Sequence, residues 1–486
     1  MADAPRYDLD PVDWDAARRL GHELVDRVAR HLAHEEARRW RPLSEGARAR
    51  FAGSLPREGL GAYAALEELA DRLTSHPIGN THPRFWALVT GSGTWEGALG
   101  ELLAAATNAN ANGGQSAAVL LEEQVLGWLK EMLGFPERTS GVLVSGGSVA
   151  NLVGMLAGLR QQLGPVWGDE GLVGLPRRPV VYTSTEAHFS VGRAVRLMGL
   201  GERSLRTVAV DDSRGVRLDA LREAIAEDRE EERWPVMVVA HAGTVGTGAV
   251  DDLQSLVDLA AEEELWLHAD GAFGALAALS PATRDRVSGL EGVDSLAFDL
   301  HKWLHVPYDA GCVFVRDAEV HRAPFVLEAD YVEDLEGGLA QKTTRFSDLG
   351  LQQSRSTRAA KVWATIAAHG TDRLGEAVAR NVRQAAHLER LVRASDRLQL
   401  MAPVTLNVVC FRYVGRRDVQ APADLDALNR QILVELQESG VAVPSHTRID
   451  GRFALRCAIT NHRSRDEDFE VLAVAVESIG DRRAKA

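Results

Sequence analysis

Val293-Asp-Ser-Leu-Ala-Phe-Asp-Leu-His-Lys302-Trp-Leu-His-Val-Pro-Tyr-Asp-Ala-Gly-Cys-Val-Phe-Val-Arg316 reads as strand, polar turn, strand. Ser295 to Phe298 and Cys312 to Val315 are short, apolar, β-prone runs, so Asp299, His301 and Lys302 fall where a buried sheet delivers side chains to a site. A lysine in such a place finds a carboxylate, reaches water, or has its pKa lowered until its amine forms a Schiff base with an aldehyde. Taken alone, the stretch favours the first two outcomes.

Two further stretches tip the balance. Leu265-Trp266-Leu267-His268-Ala269-Asp270 is an apolar strand ending in a carboxylate, followed by the small residues Gly271, Ala272 and Gly274 that let a flat group approach the backbone. By itself Asp270 reads equally as a helix N-cap. Val142-Leu143-Val144-Ser145-Gly146-Gly147-Ser148 is a strand running into a glycine turn, and the helical pattern from Val149 to Leu163 offers free N–H groups as a phosphate seat. A phosphate seat, a strand-end aspartate and a strand-end lysine are the anchors that pyridoxal phosphate (PLP) needs for its phosphate, ring nitrogen and aldehyde carbon.

The chain resembles the PLP-dependent amino-acid decarboxylases, the group of the aromatic-amino-acid, histidine and glutamate enzymes, and is most similar to its bacterial branch. The resemblance runs through His82-Pro83-Arg84-Phe85, Ser145-Gly146-Gly147-Ser148, Glu186-Ala187-His188, His268-Ala269-Asp270-Gly271-Ala272, His301-Lys302-Trp303 and Leu455-Arg456. It implies an aspartate-aminotransferase-like α/β fold: a mainly parallel, seven-stranded type of sheet flanked by helices, with an N-terminal helical segment and a small α+β C-terminal domain. It also implies a homodimer with shared active sites.

Composition agrees with this reading. The chain has 486 residues, 45% of them hydrophobic, enough for a large core and smaller accessory units. A formal charge of −14 argues against nucleic-acid or anionic-membrane partners. Cys312, Cys410 and Cys457 lie in β-like apolar runs, which favours buried free thiols in a reducing cytosol over disulfides or a zinc site. No metal-ligand spacing, apolar signal region or membrane-spanning stretch is evident, so the expected location is the cytoplasm and no metal is expected.

In chain order, a helix is expected from Asp13 to His34 with Leu20, Leu24, Val28 and Leu32 as one apolar stripe, which the resemblance assigns to the other subunit. The turn-rich Thr74 to Pro83 segment sets domain bounds of 1–83 (helical dimerisation segment), 84–375 (large PLP-binding domain) and 376–486 (small domain). From Glu122 onward strands alternate with helices, the signature of a parallel sheet whose ligands sit at strand carboxyl ends, where Ser145, His188, Thr244 and Asp270 fall. Ser464-x-x-Glu467 reads as a capping box for the last helix.

The roles follow. Lys302 holds the aldehyde and moves protons, and Asp270 keeps the ring nitrogen protonated so that the ring withdraws electrons. The resemblance gives His188 a ring that stacks on the cofactor; the other reading is a core histidine. Gly147, Ser148 and Val149 offer N–H groups to the phosphate, with His301, Asp299 and Ala272 nearby. Asp299 is charged where the family often has asparagine, so a backbone N–H or His301 is its expected partner rather than the phosphate. Thr244 is either a cofactor ligand or a turn threonine.

Trp86, Val89, Thr90 and Asn110 belong to segments that line the substrate pocket in the family, although amides such as Asn110 are mostly turn-capping. Asp330 to Leu351 lacks helical periodicity and matches the family's mobile loop, and Arg358 after it is placed to bind either the substrate carboxylate or a structural one. The expected reaction is decarboxylation of an L-amino acid to its amine. Counting back from Arg358 puts Phe346 where aromatic-amino-acid decarboxylases carry a loop tyrosine, which keeps open an oxygen-dependent route to an aldehyde; the loop or His305 would otherwise supply the proton. A catalytically silent binding protein is the reading from another class.

Overall fold

The computed structural model describes residues 9–326, 336–338, 341, 343–415 and 424–485. Its strands, in chain order, are β1 (Phe85–Trp86), β2 (Ser140–Val144), β3 (Pro179–Ser184), β4 (Leu205–Val208), β5 (Trp234–His241), β6 (Trp266–Asp270), β7 (Ser295–Asp299), β8 (Gly311–Val315), β9 (Leu398–Leu400), β10 (Val408–Tyr413), β11 (Val443–Ile449) and β12 (Arg452–Ala458).

Seven of them form one sheet in the order β2-β8-β7-β6-β5-β3-β4. β7, β6, β5, β3 and β4 pair in parallel, while β8 runs antiparallel to both β7 and β2. Apart from the edge strand β4, these strands are mostly apolar and buried because helices cover both faces and leave no wet side to alternate toward. The mainly parallel sheet expected from the sequence is therefore present.

One helix, Gly147–Leu163, crosses this sheet unusually closely. A Cβ at Gly154 would collide with the His268 ring and one at Gly158 with the Trp266 ring, so glycine at both positions lets the helix axis approach β6. The approach brings the helix N-terminus and Asn151 to the end of β6, where Asp270 stands.

β1, β11, β12, β10 and β9 make a second sheet, in that order. Here β1 pairs in parallel with β11, while the other neighbours are antiparallel. Its core includes Trp86, Phe411, Phe469 and Ile432, packed beneath the helices Leu425–Glu438 and Asp466–Arg483. The residues just after Pro83 thus join the C-terminal sheet. The long helical stretch Ala359–Ala394 leaves helical geometry at Gly370 (φ 71°, ψ 159°), short of the boundary expected at 375. The final helix is capped one residue later than its sequence suggested: Asp468 accepts the Arg465 N–H at 2.8 Å, while Ser464 is buried, its hydroxyl donating to Pro83 O and accepting from Trp86 Nε1.

The helix Trp14–Ala33 begins at Asp13, whose side chain accepts the N–H groups of Asp15 and Ala16. It buries none of its residues, and neither does Ala62–Ser75. All three cysteines are buried free thiols. Among the described residues, no helix is long and apolar enough to cross a membrane.

Candidate active site

β6 ends at Asp270, β7 ends at Asp299, and β2 runs into the Gly146–Gly147 turn, so three strand ends open into one cavity of about 810 Å³. Lys302, His188, Ala272 and His301 line it with them. Lys302 Nζ lies 2.8 Å from Asp299 Oδ2, and His301 Nε2 lies 3.8 Å from the same oxygen. The lysine is thus the main partner of Asp299, in place of the backbone N–H or His301 expected from sequence. The other carboxylate oxygen, Oδ1, is buried without a protein partner among the described residues.

Asp270 is fixed from several sides. Asn151 Nδ2 donates to its Oδ2 at 2.8 Å and the Ala272 N–H donates to its Oδ1 at 3.1 Å. Burial alone would raise this carboxyl, but the charge of His241, the Asn151 hydrogen bond and Lys302 outweigh it and hold the group below the usual aspartate range. Asn151 is held in turn by His268, whose Nε2 donates to Asn151 Oδ1 at 2.9 Å while Nδ1 meets the Ser295 hydroxyl at 2.8 Å. Burial keeps His268 neutral by lowering its pKa to about 4, which suits this one-donor, one-acceptor pattern.

The glycine turn forms a cradle with no room for side chains. A Cβ on Gly147 would stand 2.9 Å from Asp299 Oδ2, and one on Gly311 would meet the Gly146 backbone. Among the described residues the amides of Gly147 and Ser148 have no partner, as expected at a helix N-terminus. Val149 differs from expectation: its N–H already donates to Gly146 O at 2.9 Å, which removes it as a phosphate donor. His188 caps the helix Phe189–Leu197, its Nδ1 accepting the Ser190 N–H at 3.2 Å. Ser190 Oγ also takes a hydrogen bond from Asn151 at 3.0 Å, so His188, Ser190, Asn151 and Asp270 form one connected network.

Val89 and Thr90 line the cavity, but Trp86 does not: it is fully buried in the small-domain core, stacked on Phe469 with ring centroids 4.7 Å apart. Asn110 does not line the cavity and, among the described residues, caps no turn of its own loop; its Oδ1 accepts the N–H of the distant Arg355 at 2.9 Å. Arg358 is committed to structure, donating to Asp309 and Gln352 at 3.0 Å each. Thr244 accepts the Ala249 N–H at 3.1 Å and meets Thr247, and the cavity is lined instead by its neighbours Gly243 and Val245. His305 is buried against His462, outside the lining.

Phe346 is the largest departure. It sits in the short helix Phe346–Leu349, 2% exposed, with the Arg355 guanidinium 5.0 Å from its ring centroid. Arg355 also pairs with the buried Glu122, so Phe346 belongs to the core beyond β2 and does not line the cavity. Most of the expected mobile loop, at 327–335, 339–340 and 342, lies outside the described residues.

Several lining residues were missed in the sequence: Leu88, Asn151, Phe189, His241, Val245 and Tyr308. Asn151 sits one helical turn beyond the glycine turn, so its i+4 spacing from Gly147 was the available signal. Arg456 was seen only as a motif residue. It is buried and ties the two loops bearing Leu88 and Val245, donating to Leu88 O at 3.0 Å and Gly246 O at 3.1 Å, while its Nη2 has no partner among the described residues.

A parallel α/β sheet whose strand ends gather a lysine amine, a buried carboxylate and free helix-terminal amides defines a site for a phosphorylated aldehyde. A family model described as the pyridoxal-dependent decarboxylase conserved domain matches residues 52–414. The aromatic-L-amino-acid decarboxylase of Bacillus atrophaeus is 30% identical over 471 residues, covering 96% of this chain and 95% of that enzyme. The L-2,4-diaminobutyrate decarboxylase of Rhizobium meliloti (strain 1021) is 31% identical over 413 residues, covering 84% and 80%. Among solved structures, Oryza sativa TDC with PLP and tryptamine matches with a TM-score of 0.89 at 25% identity, covering 98% of this chain and 99% of that one.

The chain belongs to the pyridoxal-dependent decarboxylase family. Its activity is PLP-dependent decarboxylation of an amino acid to the amine, a carboxy-lyase reaction.

Proposed function

We propose that Lys302, Asp270, His188 and the Gly147–Ser148 amides carry this decarboxylation, and that the substrate is an L-amino acid with an apolar or aromatic side chain. The observation that carries the assignment is the convergence of Lys302, Asp270 and the glycine cradle on one cavity. When bound, PLP supplies an electron sink for the charge left at the α-carbon as carbon dioxide departs.

The chain's own groups do the rest. The helix-terminal amides of Gly147 and Ser148 hold the phosphate. Asp270, kept ionised by its neighbours, holds a proton on the ring nitrogen. His188, oriented through Nδ1 by Ser190, would stack its ring on the cofactor. Lys302 would hold the aldehyde of the bound cofactor through its amine and could move protons at Nζ. Asp299 balances the lysine charge at the cradle.

Leu88, Val89, Phe189, Val245 and Tyr308 supply the apolar wall, while the carboxylates and the lysine of the lining, Asp270, Asp299 and Lys302, lie at the cofactor end. That division supports an uncharged side chain. Arg456 stands behind this wall, where it fixes the Leu88 and Gly246 carbonyls. Phe346, lying in the core, gives the aldehyde route no support, and decarboxylation to the amine fits the relatives at least as well. We place the enzyme in the cytoplasm, where three free buried thiols stay reduced. A homodimer is supported by the striped, unburied helix Trp14–Ala33, because a lone helix of this length is marginal in water without a packing partner.

One spectrum and one mass measurement test the reading. Purified protein should be yellow, and borohydride should fix the cofactor covalently to Lys302. A colourless, metal-loaded protein would overturn it.

A further inference from the structure

β5 and β6 pair in parallel with His241 directly opposite Asp270, and the Ala242 N–H donates to Asp270 O at 3.0 Å. His241 is 2% exposed. Both of its ring nitrogens face acceptors. Nδ1 lies 3.2 Å from Asp251 Oδ2, the oxygen that also accepts the His241 backbone N–H at 2.7 Å. Nε2 lies 3.5 Å from Thr183 Oγ1, and that hydroxyl spends its proton on Val239 O at 3.1 Å. A ring with a carboxylate on one nitrogen and a committed hydroxyl on the other satisfies both only by carrying two protons.

We propose that His241 is a positioning residue for the decarboxylation: as an imidazolium clamped by Asp251, it acts through Asp270 and holds that carboxylate ionised under the ring nitrogen of the bound cofactor. The inference rests on the assignment of Asp270 to the ring nitrogen. Asp251 is itself fixed, its Oδ1 accepting the Val216 N–H at 2.8 Å, so the clamp is rigid.

The groups facing His241 are Asp251 before the helix Leu253–Glu262, Asp270 and the neutral His268 on β6, and Glu186 after β3. Burial alone would lower the imidazole, but the hydrogen bond and charge of Asp251, with Asp270 and Glu186, outweigh it and raise the group above its ordinary value. Reciprocally, His241 is the largest influence lowering Asp270. Losing the cation therefore raises Asp270, and the acid limb of turnover moves toward neutral pH.

His241→Asn keeps a donor toward Asp251 without the charge. On PLP-loaded enzyme, turnover and the visible cofactor band would be followed against pH, with Asp251→Asn and Asp270→Asn in parallel. The expected result is an acid limb moved up by about one pH unit in His241→Asn, turnover at a fixed pH on that limb down about tenfold, and turnover at neutral pH and KM each changed less than about twofold, since one unit is about tenfold in an equilibrium. Asp251→Asn should move the limb the same way. A purely packing role would lower folded yield and leave the limb in place.

An unmoved limb in His241→Asn, with Asp270→Asn still crippled, overturns the role of His241 alone. Wild-type turnover and spectrum in Asp270→Asn overturn the underlying assignment instead. Should the variants fail to fold, 15N spectra of histidine-labelled wild type near pH 8, where exposed histidines are neutral, decide the matter. A buried ring retaining both N–H protons supports the proposal, and its absence overturns it.

Discussion

Asn151 Nδ2 lies 2.8 Å from Asp270 Oδ2, and this bond joins the helix that begins at the glycine cradle to the strand that ends in the buried carboxylate. Its other side-chain partners are Ser190 and His268, so it locks the helix to the network around Asp270. Asp270→Asn preserves the size of the group and the acceptor for Asn151 but removes the charge. Turnover should fall by at least ~10²-fold with the fold intact by circular dichroism, because a buried charge-stabilising group is typically worth a few kcal/mol in the transition state. Near-normal turnover would remove Asp270 from the mechanism.

The phosphate seat and the lysine make separable contributions. Lys302→Ala should still bind PLP through Gly147 and Ser148, more weakly and with nothing fixed by borohydride. Gly147→Ala should lose binding, because its Cβ would stand 2.9 Å from Asp299 Oδ2, under van der Waals contact. Equilibrium dialysis of each variant against PLP reads both outcomes. Equal affinity in Gly147→Ala and wild type would mean that the cradle is not where the phosphate sits.

Continuous apolar runs and glycine turns made the parallel sheet and Lys302, Asp270 and Gly147 legible, because those features are local: a strand end announces itself within a few residues. What sequence could not give was anything decided by distant partners. Trp86 looked like a wall of the pocket, but its fate is set by Phe469 and Ser464 at the far end of the chain. Val149 was an apparent donor until the first turn of its own helix closed on Gly146 O. His241 gave no signal, since its meaning comes from Asp251 and from strand pairing with Asp270.

Phe346 shows the same limit in an ungapped count. Its ring packs under Arg355 in the core, so Phe346→Tyr should leave the amine-to-peroxide ratio unchanged while lowering the melting temperature, since a buried hydroxyl without a partner costs about 1–3 kcal/mol. Assays in air and under nitrogen check this. Peroxide that falls and amine that rises in the variant would return Phe346 to the chemistry. The phenol within 327–335 is Tyr331, outside the described residues.

Arg456 is predicted to act on binding rather than on cofactor capture. Its Nη1 and Nε brace the Leu88 and Gly246 carbonyls beside the cavity wall, and its Nη2 is buried without a partner among the described residues. Arg456→Lys should keep PLP affinity within about threefold but raise KM about tenfold or more, because a lysine cannot reproduce the planar fork. An unchanged KM would show that the Leu88 and Gly246 loops keep their places without the arginine fork.

The acid stability of the protein should be set partly by a histidine remote from the site. His321 is fully buried, its Nδ1 2.8 Å from Ser140 Oγ and its Nε2 without a partner among the described residues, and burial lowers its pKa to about 4. In the unfolded chain the ring takes up a proton near its ordinary value of 6.5, whereas the folded protein refuses one until about pH 4. The neutral ring costs nothing above pH 6.5, and stability is lost as pH falls through the window from 6.5 toward 4. At about 1.4 kcal/mol per unit, His321 should account for a loss of about 2 kcal/mol between pH 7 and pH 5. His321→Asn should be less stable than wild type at pH 7 yet lose about 2 kcal/mol less on going to pH 5, as read by urea unfolding at each pH. Parallel curves for the two proteins would show that His321 is already protonated, or already solvated, in the folded state.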